Sequence, residues 1–127
     1  MKVLISEDEE ILLTALEFRL TKQGFEVFVT KDGEAAIEVF DEKEPDIVIL
    51  DLEMPKKGGM EVMEFIRKKR KSLTPIIIIT AFEDEDIVMK ACDAGADDFI
   101  MKPFKPKELI LRVKRLARKI KPAFAEA

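Results

Sequence analysis

The sequence contains no histidine, no tryptophan and no tyrosine. Without histidine there is no Ser-His-Asp or Cys-His relay, no histidine general base and no histidine-bound metal. Without tryptophan or tyrosine the usual stacking partners of a flavin are missing. The single cysteine, Cys92, excludes an internal disulfide, and it reads as a small core residue beside Ala91. No run approaches the ~20 apolar residues of a membrane span. The longest purely aliphatic runs are Ile47–Leu50 and Ile76–Ile79. The start, Met1-Lys2-Val3-Leu4-Ile5, turns acidic by Glu7, too soon for a signal-peptide core. A lone thiol and no export signal predict a cytoplasmic address. Positive charge is not in excess. Lys plus Arg total 22 against 26 for Asp plus Glu, so bulk attraction to nucleic acid is not expected.

What is present is enough for one domain. The 127 residues are 47% hydrophobic and 38% charged, which excludes disorder and low-complexity polymer. Short aliphatic runs alternate with longer amphipathic stretches. Strands are predicted at Val3–Ile5, Phe25–Thr30, Asp46–Leu50, Pro75–Thr80 and Asp98–Met101. Helices are predicted at Glu9–Gln23, Gly33–Asp41, Met60–Arg70, Asp84–Ala94 and Pro106–Ile120. Their candidate core positions are Leu12, Leu16 and Leu20; Ala36 and Phe40; Val62, Met63 and Ile66; and Leu109, Val113, Leu116 and Ile120. Met54-Pro55 and Gly58-Gly59 mark a loop over 53–59. Strict β-α alternation, with strands apolar on both faces, implies a parallel sheet covered on both sides. Right-handed crossovers make it doubly wound. The domain spans 1–121, and 122–127 form a short tail or the stub of a linker.

In such a sheet ligands bind beyond the carboxyl ends of the strands. There the sequence places Glu7 and Asp8 after the first strand, Asp51 after the third, Thr80 at the end of the fourth and Lys102 at the end of the fifth. Each has an ordinary explanation alone. Acids favour a helix N-terminus, which accounts for Glu9 and Glu10, and a lone lysine is most often a surface residue. Their conjunction at successive strand ends is what points to chemistry. Converging carboxylates raise one another's pKa unless neutralised, and Mg²⁺ does so with few carboxylates and several waters. A carboxylate nucleophile, a metal, a lysine and a hydroxyl together describe a site for a phosphoryl group.

Four segments carry a family resemblance: VLISEDEE (3–10), DIVILDLEMPKKGG (46–59), PIIIITA (75–81) and GADDFIMKPF (95–104). Over nearly its full length the chain resembles the receiver domain of bacterial two-component response regulators, of the chemotaxis-regulator type. The resemblance implies a flavodoxin-like α/β fold. That fold is a five-stranded parallel sheet of order 2-1-3-4-5, with two helices on one face and three on the other. It implies that Asp51 is the phospho-acceptor and that Mg²⁺ is held by Asp8, Glu7, Asp51 and the backbone carbonyl of Glu53. Thr80 resembles the switch hydroxyl, Lys102 the lysine that pairs with the phosphoryl group, and Phe99 the aromatic that moves with Thr80. Lys102-Pro103 matches a peptide bond that is usually cis in the family.

There are departures from the family pattern. Glu7 stands where Asp is commoner, Gly58 where Asp is common, and the switch aromatic Phe99 lacks a hydroxyl. Glu53 puts a carboxylate two residues past Asp51, a position that influences autodephosphorylation in the family. The function implied is a phosphorylation-activated signalling switch, with a sensor histidine kinase or phosphotransfer protein as donor. It is not an enzyme beyond its own phosphotransfer and autodephosphorylation. The output face is expected on the fourth helix, fifth strand and fifth helix. Asp97, Asp98, Glu108, Arg112 and Lys114 match the charges of a family homodimer there, whereas Val88 does not.

No helix-turn-helix lies in the remaining sequence, so neither direct nucleic-acid binding nor membrane contact is expected. The basic run Arg67–Lys71 reads as a solvated helix end. Three rival classes remain. A haloacid-dehalogenase-type phosphatase needs a second aspartate where Glu53 stands. A flavodoxin-like carrier needs a phosphate-cradling first loop, but Ser6-Glu7-Asp8-Glu9-Glu10 repels phosphate. A phosphorylation-independent adaptor would share the fold without using the acid set.

Overall fold

The computed structural model describes residues 1–81 and 85–121. The predicted start of the fourth helix at Asp84 and the tail 122–127 lie outside the described residues. Five strands, β1 (Lys2–Ser6), β2 (Glu26–Thr30), β3 (Ile47–Asp51), β4 (Ile76–Thr80) and β5 (Asp98–Met101), form one sheet. All neighbours are parallel, in the order β2-β1-β3-β4-β5. This is the order the resemblance implies and the alternation alone does not. Between the strands run α1 (Glu10–Lys22), α2 (Gly33–Lys43), α3 (Gly59–Glu64) and α4 (Glu85–Asp93), with α5 (Pro106–Ile120) last.

The pleat divides the core. Successive side chains on a strand point to opposite faces. Val3, Ile5, Ile47, Ile49, Ile77, Ile79 and Ile100 therefore pack under α1 and α5. Leu4, Val48, Leu50, Ile76 and Ile78 pack under α2, α3 and α4. All five residues of β3 and all five of β4 are buried, as aliphatic strands covered on both faces should be. Each fully buried isoleucine stabilises the fold by about 1.5–3 kcal/mol in transfer free energy.

The helices differ from the sequence reading at particular positions. On α1 the buried seam is Leu13, Leu16 and Leu20, with Leu12 only half-buried. On α5, Leu109 and Val113 are buried as expected, but Ile110 and Ala117 complete the seam. Leu116 is half-buried and Ile120 is exposed. On α1 each four-residue step overshoots the 3.6-residue turn by about 40°, so Leu12 lies off the seam that Leu16 and Leu20 share. Cys92 is also exposed, correcting its reading as core: its neighbour Ala91 is the buried residue of α4. One step along a helix turns a side chain by about 100°, so two adjacent residues rarely share one face.

Two local devices shape the site's surroundings. Asp32 caps α2 by accepting the Ala35 N–H at 2.8 Å. At the start of α3 the backbone passes close to the end of β3. A Cβ on Gly59 would stand 2.5 Å from the Asp51 carbonyl oxygen, and one on Gly58 2.7 Å from that of Leu52. Glycine at 58, which departs from the family pattern, thus fits a close approach between the loop and the strand. Past Glu64 the helix widens into a π turn over Phe65–Lys69, closed by the Arg70 N–H on the Phe65 carbonyl at 3.1 Å.

Candidate functional site

The carboxyl edge of β1, β3 and β5 gathers the acids and the lysine. Pleat parity carries Glu7 beyond Val3 and Ile5, and Asp51 beyond Ile47 and Ile49, on the same side of the sheet. Glu7, directly after β1, is fully buried; Asp51, the last residue of β3, is 4% exposed; Asp8 is exposed. Lys102, directly after β5, reaches between them. Its Nζ lies 2.8 Å from Glu7 Oε1, 2.9 Å from Asp51 Oδ2 and 3.5 Å from Glu9 Oε2. The Lys102-Pro103 peptide is cis, as the resemblance implies.

Backbone donors hold the other carboxylate oxygens. The Glu9 N–H donates to Glu7 Oε2 at 3.0 Å, and the Glu53 N–H to Asp51 Oδ1 at 2.9 Å. Each is a carboxylate accepting an N–H two residues on, which fixes its rotamer without another side chain. Glu7 Oε1 is different. It has the Lys102 ammonium beside it, but off the direction of a hydrogen bond. Among the described residues it is the buried side-chain oxygen left without an aligned donor.

The electrostatics follow from this crowding. Burial pushes the Glu7 carboxyl up to about 7; Lys102 and the Glu9 N–H pull it down, and Asp51 adds to the rise. Burial alone would lower the Lys102 ammonium, but the adjoining carboxylates of Glu7 and Asp51 outweigh it, and its pKa is raised. Lys102 pairs with Glu7 and Asp51, and ligand oxygens of Glu7, Asp8 and Asp51 lie within 4.8 Å of one another. The donors are all hard oxygens, and one is buried without an aligned hydrogen bond. That set fits a hard divalent cation such as Mg²⁺ and does not fit a soft one.

The remaining predicted residues divide. Thr80 ends β4 and is buried, and parity sets it on the α4 side of the sheet with Ile76 and Ile78. Phe99 pairs in register with Ile78 on that same face, and is 36% exposed. Glu53 contributes its N–H to Asp51 and has an exposed side chain. The predicted dimer charges are partly engaged within the chain. Arg112 Nη1 lies 2.7 Å from Asp98 Oδ1, and Asp97 is held by Arg67 at 3.0 Å. Glu10 pairs with Lys31 at 3.0 Å, as an acid of an exposed helix start would. Two neighbours were not singled out from the sequence. Ser6 Oγ lies 3.3 Å from the Asp32 carbonyl and 2.9 Å from Met54 Sδ, tying the end of β1 to the loops after β2 and β3. Their only signal is adjacency to Glu7 and Glu53. No helix among the described residues is long and apolar enough to cross a membrane.

Known proteins agree with this architecture. The receiver domain of the Francisella response regulator 1452 is 28% identical, with a TM-score of 0.88, over 94% of this chain and 98% of that one. A DNA-binding response regulator of the LuxR family from Staphylococcus aureus is 31% identical, with a TM-score of 0.82, over 91% and 97%. The BeF3-activated N-terminal receiver domain of Klebsiella pneumoniae RstA is 29% identical, with a TM-score of 0.85, over 93% and 99%. The profile of the response regulator receiver domain matches residues 3–114, from β1 into α5. With its sheet order, its strand-edge acids and a match of that extent, this chain belongs to the response regulator receiver domains of two-component systems.

Proposed function

We propose that the chain is a phosphorylation-activated switch in which Asp51 accepts a phosphoryl group from a phosphohistidine of a sensor kinase or phosphotransfer protein. A small acyl phosphate is an alternative donor. An Asp51 carboxylate oxygen forms the new O–P bond as the P–N bond of the donor breaks, and the departing imidazole keeps the electron pair and takes a proton. The observation that carries this reading is the setting of Asp51. It is a buried carboxylate held by the Glu53 N–H on one oxygen and by Lys102 on the other. Lys102 offsets charge on the acceptor and the incoming group, so the protein's contribution is positioning and charge neutralisation.

Glu7, Asp8 and Asp51, with the Glu53 carbonyl, would hold Mg²⁺, which would supply further charge neutralisation to the phosphoryl oxygens. Thr80 would report occupancy by bonding a phosphoryl oxygen, and Phe99, on the same face, would exchange its exposed setting for a buried one. Chemistry is confined to the chain's own phosphotransfer and autodephosphorylation, with Glu53 tuning the latter through its exposed carboxylate. Comparing phosphoryl lifetimes of the wild type and Glu53→Ala tests this; equal lifetimes would sink it. The domain is read as 1–121 and its setting as the cytoplasm. The output leaves through α4, β5 and α5 to an effector, or to a second copy; within the chain Asp97 is paired with Arg67 and Asp98 with Arg112. An unchanged light-scattering mass on adding beryllofluoride at high concentration would count against the second copy.

The direct test is intact mass after incubation with acetyl phosphate and Mg²⁺. One added phosphoryl group, absent without Mg²⁺ and absent in Asp51→Asn, is expected. No adduct on the wild type would favour the phosphorylation-independent adaptor.

A further inference from the structure

Arg67 opens the basic run that the sequence assigns to a solvated helix end. In the fold its side chain is only 15% exposed, and all three of its nitrogens are used. Nη1 donates to the carbonyls of Ser72 at 2.9 Å and Thr74 at 2.7 Å. Nε and Nη2 both donate to the Gly95 carbonyl, at 3.2 and 2.8 Å. Nη2 also meets Asp97 Oδ2 at 3.0 Å, and that oxygen accepts the Ile76 N–H at 2.8 Å. Only a planar fork of donors can join the two loops in this way; an ammonium is a point charge. Gly95 is fitted to it. Its φ is +114°, and a Cβ there would stand 2.7 Å from Arg67 Nε.

The loop so held is the far end of α4. The Ala96 N–H closes on the Ala91 carbonyl at 3.0 Å, and the Asp97 N–H on the Ile76 carbonyl at 2.8 Å. Ala91, the buried residue of α4, sits just before this lock, whereas Glu85, Met89 and Lys90 are exposed. β4 runs toward the site and α4 runs back from it. The end of α4 nearest Thr80 is therefore Glu85, and the locked end lies at the opposite edge of the sheet.

We infer that Arg67 is a positioning residue that pins the C-terminal end of α4, so that the helix answers events at the site by pivoting about 95–97 instead of sliding as a body. A pivot is the motion open to a helix tied at one end and lightly packed along the rest. The trigger rests on the phosphorylation reading above; the anchor does not.

Two measurements separate them. The first is amide hydrogen exchange on the full unphosphorylated chain without Mg²⁺, for wild type, Arg67→Lys and Arg67→Gln. Both variants should speed exchange at Ile76, Ala96 and Asp97 by about tenfold or more, with β1 and β3 amides keeping their protection. Wild-type rates at 76, 96 and 97, rescue by lysine, or a uniform rise across the sheet would each overturn the anchor. The second uses trifluoromethyl probes on Cys92, the sole cysteine and exposed, and on Glu85→Cys in a Cys92→Ser background. Beryllofluoride with Mg²⁺ should shift the probe at 85 and not that at 92 in otherwise wild-type protein, and shift both in Arg67→Gln. Equal shifts at both positions with Arg67 intact would overturn the pivot. Silence at both, with the exchange result as expected, would count against the phosphorylation reading and leave the anchor standing.

Discussion

The centre of the sheet and its β5–α4 margin are built to different standards. β3 and β4 bury every residue, whereas β5 buries only Ile100 and α4 only Ala91. The centre carries Asp51 and, beside it, Glu7, so the clustered carboxylates stand on the most completely buried part of the molecule. The margin carries Phe99, Met101 and Met89, all exposed apolar side chains on or near the face that Thr80 shares. A site needs fixed geometry and a signalling surface needs alternatives, and local stability follows burial. The difference therefore separates where chemistry is held from where a response can be made. Arg67 marks the boundary by fixing one end of α4 and leaving the rest to light packing.

The centre and the margin should differ most in their tolerance of truncation. Ile49→Ala should cost about 3–4 kcal/mol in urea denaturation, and Val88→Ala on α4 less than about 1 kcal/mol. Similar costs would mean that α4 is no looser than the core.

The next test addresses strain within the rigid half. Burial pushes the native Glu7 carboxyl up to about 7, while the unfolded carboxyl loses its proton near 4.5. Between those values the native state binds more protons, so this group's contribution makes stability fall as pH rises. Without Mg²⁺, Glu7→Gln should therefore be more stable than wild type by on the order of 1–3 kcal/mol at pH 8 and no more stable at pH 4. A variant less stable at pH 8 would show that the Lys102 pairing outweighs burial.

Mg²⁺ should relieve the same crowding. At about thirtyfold excess over its Kd it should stabilise the wild type by about 2 kcal/mol, read as a rise in Tm by calorimetry. The rise should disappear in Asp51→Asn; an equal rise in the variant would place the ion elsewhere. The smallest effect belongs to the margin. Asp98 and Arg112 form a partly exposed pair. Arg112→Ala should cost about 0.5 kcal/mol, shrinking further in high salt. A cost several times larger would mean that β5 is anchored more firmly than its burial suggests.

Much of this was legible without coordinates, because short-range rules govern it. The isoleucine run 76–79 could only be a strand covered on both faces, and the acids at 7, 8 and 51 had to share an edge once the sheet was parallel. Other readings failed where one residue of phase mattered. Cys92 and Ala91 are equivalent by composition, and only the rotation of α4 exposes one and buries the other. Ile120 keeps the helical phase of Leu109 and yet is exposed, so periodicity alone does not decide which turn of α5 is covered. Arg67 looks like Lys68 and Lys69 in sequence. The π turn and the approach of Gly95 give it partners 28 residues away.

Helix and strand positions, the parallel sheet and the set of side chains at its carboxyl edge follow from the order of residues, since periodicity and strand direction are local properties. Folding in three dimensions set Lys102 between Glu7 and Asp51 and buried Glu7 Oε1 without an aligned donor. It also decided that Arg67 locks the far end of α4. These depend on distances between residues remote in the chain, which packing sets and no local pattern encodes.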